Sequence, residues 1–118
     1  MLYTAAVLSV LIGSAAIGPD VVQAGALKLC RPTVETAVIR EDANTGTRSL
    51  HVTLDGQARA TFADITRQAV GTPLPVTLNG IVVFNPYIQE EIIGGEFDIS
   101  DRDERDLERI KVALLSDC

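Results

Sequence analysis

The residues of this chain that are best suited to chemistry are one histidine, two cysteines and a run of carboxylates near the C-terminal end. His51 is the only histidine. A serine-type triad would need it as the base, and a transition-metal site would need a second imidazole or a pair of thiols. His51 instead falls on the polar side of an alternating segment, which predicts a solvated side chain. The sequence therefore predicts no catalytic residue, no metal site and no cofactor.

Six carboxylates are closely spaced along the C-terminal segment: Asp98, Asp101, Asp103, Glu104, Asp106 and Glu108. Calcium prefers oxygen ligands on a loop that wraps around the ion. Most of these carboxylates fall instead on a predicted helix, where arginines are interleaved with them. The pattern predicts an ion-paired helix surface. Gly94-Gly95 does not indicate a phosphate loop, because no Gly-Lys-Ser/Thr follows it.

The two cysteines are Cys30 and Cys118, the last residue. They lack the Cys-x-x-Cys spacing of a redox-active pair. If the chain is exported, it meets an oxidising compartment in which paired thiols become disulfides. We therefore predict a Cys30–Cys118 disulfide that ties the two ends of the mature domain together. Two unpaired terminal thiols are the alternative.

The N-terminal segment resembles a secretory signal peptide. An apolar run from Leu2 to Ile17 is closed by Gly18-Pro19, and Val22-Gln23-Ala24 offers small residues to a signal peptidase. The run is shorter than the roughly 20 apolar residues of a membrane span. We predict a signal peptide over 1–24, a single domain over 25–118 and no stable membrane insertion after cleavage. An uncleaved membrane anchor is the alternative, because no Lys or Arg precedes the apolar run to form the positively charged start of a signal peptide.

The elements that would position these residues follow from local patterns. Alternation predicts a hairpin over residues 33–54, and a helical stripe follows at Ala58, Phe62, Ile65 and Ala69. Asn79-Gly80 between two apolar runs predicts a second, tight hairpin. A short strand at Phe97 and Ile99 and a final helix complete the order β-β-α-β-β-β-α. Ser100 or Asp101 is predicted to cap this last helix, and Leu107, Ile110 and Leu114 are predicted to form its buried stripe. This order predicts an α+β two-layer sandwich, with an antiparallel sheet of four to five strands and two helices on one face.

The second hairpin also predicts a surface. A two-residue turn places Leu78 opposite Ile81 and Val76 opposite Val83, so the side chains between them point to the other face. The residues expected there or directly after it are Val82, Phe84, Tyr87 and Ile88. Exposed apolar patches of this kind mark partner sites. The alternative is that the segment 87–93 or the N-terminal tail covers this face.

The order of residues from Phe62 to Ser100 resembles one family. Phe62 and Thr66 on a helix precede Val70-Gly71-Thr72-Pro73-Leu74, and the Asn79-Gly80 turn, Ile92-Ile93-Gly94-Gly95 and Ile99-Ser100 follow. This resembles the head of the first periplasmic domain of SecD, the accessory membrane subunit of bacterial protein export. The likeness covers about residues 50 to 115. It implies the α+β fold and a periplasmic location, and it implies a binding element without the membrane helices that couple SecD to the proton gradient.

The sequence therefore predicts an exported, periplasmic and non-catalytic module that binds a protein or an extended polypeptide. Its net charge of −6 disfavours nucleic acid and anionic lipid as partners. A small envelope enzyme or enzyme inhibitor on the same scaffold is the alternative, and a structural envelope protein is a third reading. No pattern indicates an oligomeric state.

Overall fold

The computed structural model describes residues 20–100 and 104–118, which form seven strands and two helices. The strands are β1 (Val22–Ala24), β2 (Leu27–Leu29), β3 (Val34–Glu41), β4 (Arg48–Leu54), β5 (Val76–Leu78), β6 (Ile81–Phe84) and β7 (Glu96–Ile99). The helices are α1 (Gly56–Ala69) and α2 (Glu104–Leu114). The α+β class and the order of the predicted elements are confirmed, and β1 and β2 are added in front of them.

The strands divide between two antiparallel sheets instead of forming the one predicted sheet. The first sheet has the order β2-β1-β5-β6, and the second has the order β3-β4-β7. One continuous apolar core joins the sheets and both helices. Helix α2 packs on β3 and β4 and also touches β1, so it spans both sheets. Its predicted stripe of Leu107, Ile110 and Leu114 is fully buried.

Strand β1 lies inside the segment assigned from sequence to the signal peptide. It pairs with β2 on one side and with β5 on the other, and Val22 and Ala24 are 1% and 0% exposed. The described domain therefore begins before residue 25. A cut after Ala24 would remove the strand that connects β2 to the rest of its sheet.

Helix α1 contains the predicted stripe, and Asp55 and Gly71 mark its two ends. The Asp55 carboxylate accepts a hydrogen bond of 2.8 Å from the Ala58 amide, which satisfies one free donor of the first turn. Gly71 follows the last turn with a φ of +88°, a conformation that glycine adopts without steric cost. Ala58 and Phe62 face the core, and so does Thr66, which the predicted apolar stripe did not include.

The Asn79-Gly80 turn is confirmed, since both residues have positive φ, at 54° and 85°. Leu78 lies opposite Ile81 as predicted, but a bulge then places Val76 opposite Phe84 and not Val83. A bulge inserts one unpaired residue and reverses the side-chain alternation beyond it. The predicted orientation of Phe84 is therefore wrong. Its ring turns toward the core, where it packs as a half-buried side chain.

Cys30 and Cys118 form a disulfide with Cα atoms 5.5 Å apart. Backbone hydrogen bonds support it, because the Arg31 amide donates to the Ser116 carbonyl and the Cys118 amide donates to the Arg31 carbonyl. The end of the chain is thus fixed beside the start of β3. In the described part of the chain, no helix is long and apolar enough to cross a membrane.

Candidate functional site

The four residues predicted as a partner surface occupy different environments. Val82 and Tyr87 are 52% and 61% exposed, whereas Phe84 is half-buried and Ile88 is only 4% exposed. Ile88 belongs to the core because its backbone pairs with the segment before β5: its amide donates to the Thr72 carbonyl, and the Gly71 amide donates to the Ile88 carbonyl. The prediction of an exposed Ile88 is therefore wrong, and Val82 and Tyr87 carry the exposed apolar surface.

An open apolar groove of about 310 Å³ is lined by Phe84, Tyr87 and Ile88 but not by Val82. We call it the aromatic groove and define it by Phe62, Val76, Phe84, Tyr87, Ile92 and Phe97. Phe62 on α1 stacks on Phe97 of β7, with ring centroids 5.0 Å apart. The charged residues in its wall are Glu90 and Asp98, both acidic. The groove therefore suits an apolar ligand with a positive charge near one end.

The wall between β6 and β7 is fixed by a buried threonine. The Thr66 hydroxyl donates to the Ala63 carbonyl at 3.1 Å and accepts from the Ile92 amide at 2.9 Å. Thr66 is 0% exposed, and its hydroxyl thus finds both a donor and an acceptor within the protein, as buried polar groups require. The sequence alone marked Thr66 only as part of the family pattern, and the contact with Ile92 spans 26 residues.

A second groove of about 200 Å³ lies under the other end of β6. We call it the helix groove and define it by Leu78, Ile81, Val83, Arg109 and Ile110. Asp20 beside it accepts from the Arg109 guanidinium at 3.0 Å and from the side-chain amide (Nδ2) of Asn79 at 3.0 Å. Both hydrogen bonds lower the pKa of Asp20, and the bond from Arg109 has the larger effect. They fix the start of the described chain against α2 and the β5–β6 turn.

The His51 imidazole lies between two carboxylates. The prediction of a solvated His51 side chain is therefore wrong. Its Nδ1 lies 2.8 Å from Asp98 Oδ1 and its Nε2 lies 2.8 Å from Glu96 Oε1. The side chain is only 14% exposed. Both ring nitrogens are engaged, so the imidazole cannot act as a base without breaking the clamp. The bonds to Asp98 and then Glu96 raise the pKa of His51.

The clamp predicts a pH dependence of stability. A histidine whose pKa is raised on folding stabilises the native state most at pH values below about 6.5, its ordinary pKa. The contribution is then lost as the pH rises through the raised native pKa. We expect His51→Gln to remove this part of the pH dependence, as measured by denaturation midpoints between about pH 5.5 and 9. Ser49→Gln on the same strand is the control, and identical pH profiles for His51→Gln and the parent would contradict the clamp.

The closely spaced carboxylates of the C-terminal segment form no metal site in the part of the chain that is described. Asp98 is bound to His51, while Asp101 and Asp103 lie outside the described residues. The predicted helix cap at Ser100 or Asp101 lies at this gap and is not tested. Across 20–100 and 105–118, no three His, Cys, Asp or Glu side chains converge on one point as metal ligands.

Comparisons with known proteins agree with this architecture. Residues 21–114 match the family described as the SecDF P1 head subdomain. A protein translocase subunit SecD from Desulfurispirillum indicum is 39% identical over 64 residues. The chain therefore belongs to the SecDF P1 head family, as the resemblance predicted.

Two solved structures share the fold at 26% identity and cover 72% of this chain. One is a membrane component SecDF that enhances protein export, with a TM-score of 0.65, and the other is SecDF in a super-membrane-facing form, with a TM-score of 0.64. The aligned part is 39% of the first of these chains and 12% of the second. The match to the SecD subunit covers 54% of this chain and 12% of that protein. The matched part of this chain thus spans less than half the length of each of these relatives.

Proposed function

We propose that this protein is an exported, periplasmic module that binds extended polypeptide in connection with protein export. Family membership supports the link to export, because the matched relatives are a translocase subunit and a membrane component that enhances export. The observation that carries the binding role is the aromatic groove with exposed Tyr87 at its rim. An unfolded chain presents apolar side chains along an extended backbone, which an open apolar groove can accept.

The proposed action is binding without catalysis. His51 is the residue most suited to act as a base, and it is held by Asp98 and Glu96 on the outer face of the second sheet. The aromatic groove has Glu90 and Asp98 as its charged lining, and Asp98 is already bound to the imidazole. This arrangement favours a binding module over the alternative of a small envelope enzyme.

We expect Tyr87→Ser to bind an unfolded polypeptide at least about tenfold more weakly, a change of roughly 1.4 kcal/mol. The Tyr87 side chain is 61% exposed, so the melting temperature should change little. The experiment is titration of the purified protein with a labelled, permanently unfolded polypeptide. Val38→Ser is the control, because Val38 is 47% exposed on the other sheet. Unchanged affinity in Tyr87→Ser, or an equal loss in Val38→Ser, would contradict the proposed site.

A further inference from the structure

The free edge of the first sheet differs from the other sheet edges in its chemistry. In the described residues, four strands have a neighbour on one side only: β2, β3, β6 and β7. Three of them carry charged side chains, which protect sheet edges from pairing with other chains. The charged residues are Lys28 in β2, Glu35, Arg40 and Glu41 in β3, and Glu96 and Asp98 in β7. Strand β6 reads Ile-Val-Val-Phe and has neither a charge nor a proline.

The space beneath this edge is also incompletely filled. Ile81 and Phe84 lie opposite the buried residues Leu78 and Val76, so they belong to the core-facing side of the sheet. Ile81 lines the helix groove and Phe84 lines the aromatic groove. Ile81 is nevertheless 70% exposed. Both grooves therefore open on the core-facing side of β6, one toward each end of the strand. A further strand beside β6 would cover both of them.

We propose that β6 binds its polypeptide by strand addition, in which an extended segment pairs with the free backbone edge of β6. Side chains of an added strand point alternately to the two faces, about 7 Å apart on each face. Apolar residues at alternate positions would then enter the aromatic groove and the helix groove. Main-chain hydrogen bonds would supply affinity that is independent of sequence, and the two grooves would select the apolar side chains.

Charge indicates what kind of segment binds. Glu90 gives the aromatic groove an acidic wall, since the Asp98 carboxylate is already bound to His51, and the whole chain has a net charge of −6. A second copy of this chain would bring the same negative charge to the interface, which opposes self-association through β6. A segment with a lysine or arginine beside its apolar residues is attracted instead. The inferred ligand is thus an extended cationic segment of another polypeptide.

This inference rests on the proposed function, and peptide backbone chemistry can separate the two. The probe is a short labelled peptide with valine at alternate positions and one terminal lysine. Two further peptides carry N-methyl groups at either the odd or the even residues. An added strand turns alternate amides toward its neighbour, so only one methylated set should lose binding, by at least about tenfold. The other methylated peptide is the matched control.

The outcomes separate the claims. Equal affinities of the two methylated peptides, with the parent peptide still bound at β6, would overturn strand addition and leave the proposed function standing. Failure of the protein to bind either the peptide or the unfolded polypeptide would overturn the proposed function itself.

The charge of the ligand is tested separately. Lysine→glutamate in the peptide should weaken binding, and Glu90→Gln in the protein should reduce the difference in affinity between the two peptides. No effect of the peptide's charge on affinity would overturn the inferred cationic ligand. Dimers that dissociate on Val82→Lys would assign the edge to a second copy.

Discussion

A chain that begins at Gly25 is expected to lose the cooperative unfolding transition that a chain beginning at Asp20 shows. Strand β1 is the only connection in the described structure between β2 and β5, and Val22 and Ala24 are both buried. Removing it exposes the apolar faces of β2 and β5 and breaks two ladders of hydrogen bonds. Domains of this size are stable by only about 5–15 kcal/mol, so we expect the loss to be comparable with the whole stability.

Urea denaturation followed by circular dichroism measures this effect. The chain beginning at Asp20 is the control because it keeps the Asp20–Arg109 and Asp20–Asn79 contacts. Equal midpoints for the two chains would contradict the role of β1. The same result bears on processing: a signal peptide remains predicted, but its cleavage must then fall before Val22. An intact mass beginning at Gly25 in folded native protein would argue against this conclusion.

Cys118→Ser is expected to produce the second large effect, a loss of up to about 4–5 kcal/mol in the free energy of unfolding. The disulfide closes a loop with a sequence separation of 88, which strongly restricts the unfolded chain. Cys118 itself is exposed, so the substitution removes little buried apolar surface. The loss would therefore come from the cross-link and not from packing.

Chemical denaturation with and without a reductant provides the control. The reductant should lower the stability of the parent protein to that of Cys118→Ser and should leave the variant unchanged. Cys30→Ser should behave in the same way, apart from a small packing loss at this more buried site. Identical midpoints of parent and variant without reductant would contradict the stabilising role of the disulfide.

Local signals in the sequence predicted local structure well. Asn79-Gly80 specified its turn because the two residues tolerate positive φ, and the periodic leucines of α2 specified its buried face. Strands β1 and β2 have three residues each, too few for alternation to be recognised, and β1 lies within a pattern typical of export signals. The existence of the first sheet as a separate layer could therefore not be predicted.

The site was harder to predict because it depends on contacts between distant segments. A strict two-residue alternation placed Phe84 on the outer face, but the bulge turns it toward Val76 and into the groove beside Phe62 and Phe97. Burial of a large aromatic ring favours this arrangement. The His51 clamp joins residues 45 and 47 positions apart in sequence, and no local pattern indicates it.

Site-specific photo-cross-linking tests the central claim most directly. A benzophenone side chain at Tyr87 keeps an aromatic group at the rim of the aromatic groove, and the same side chain at Val38 on β3 is the control. After irradiation with an unfolded polypeptide, we expect cross-links from position 87 that unlabelled alternating valine peptide competes away, and few from position 38. Equal cross-linking from both positions, or none from position 87, would contradict polypeptide binding at β6.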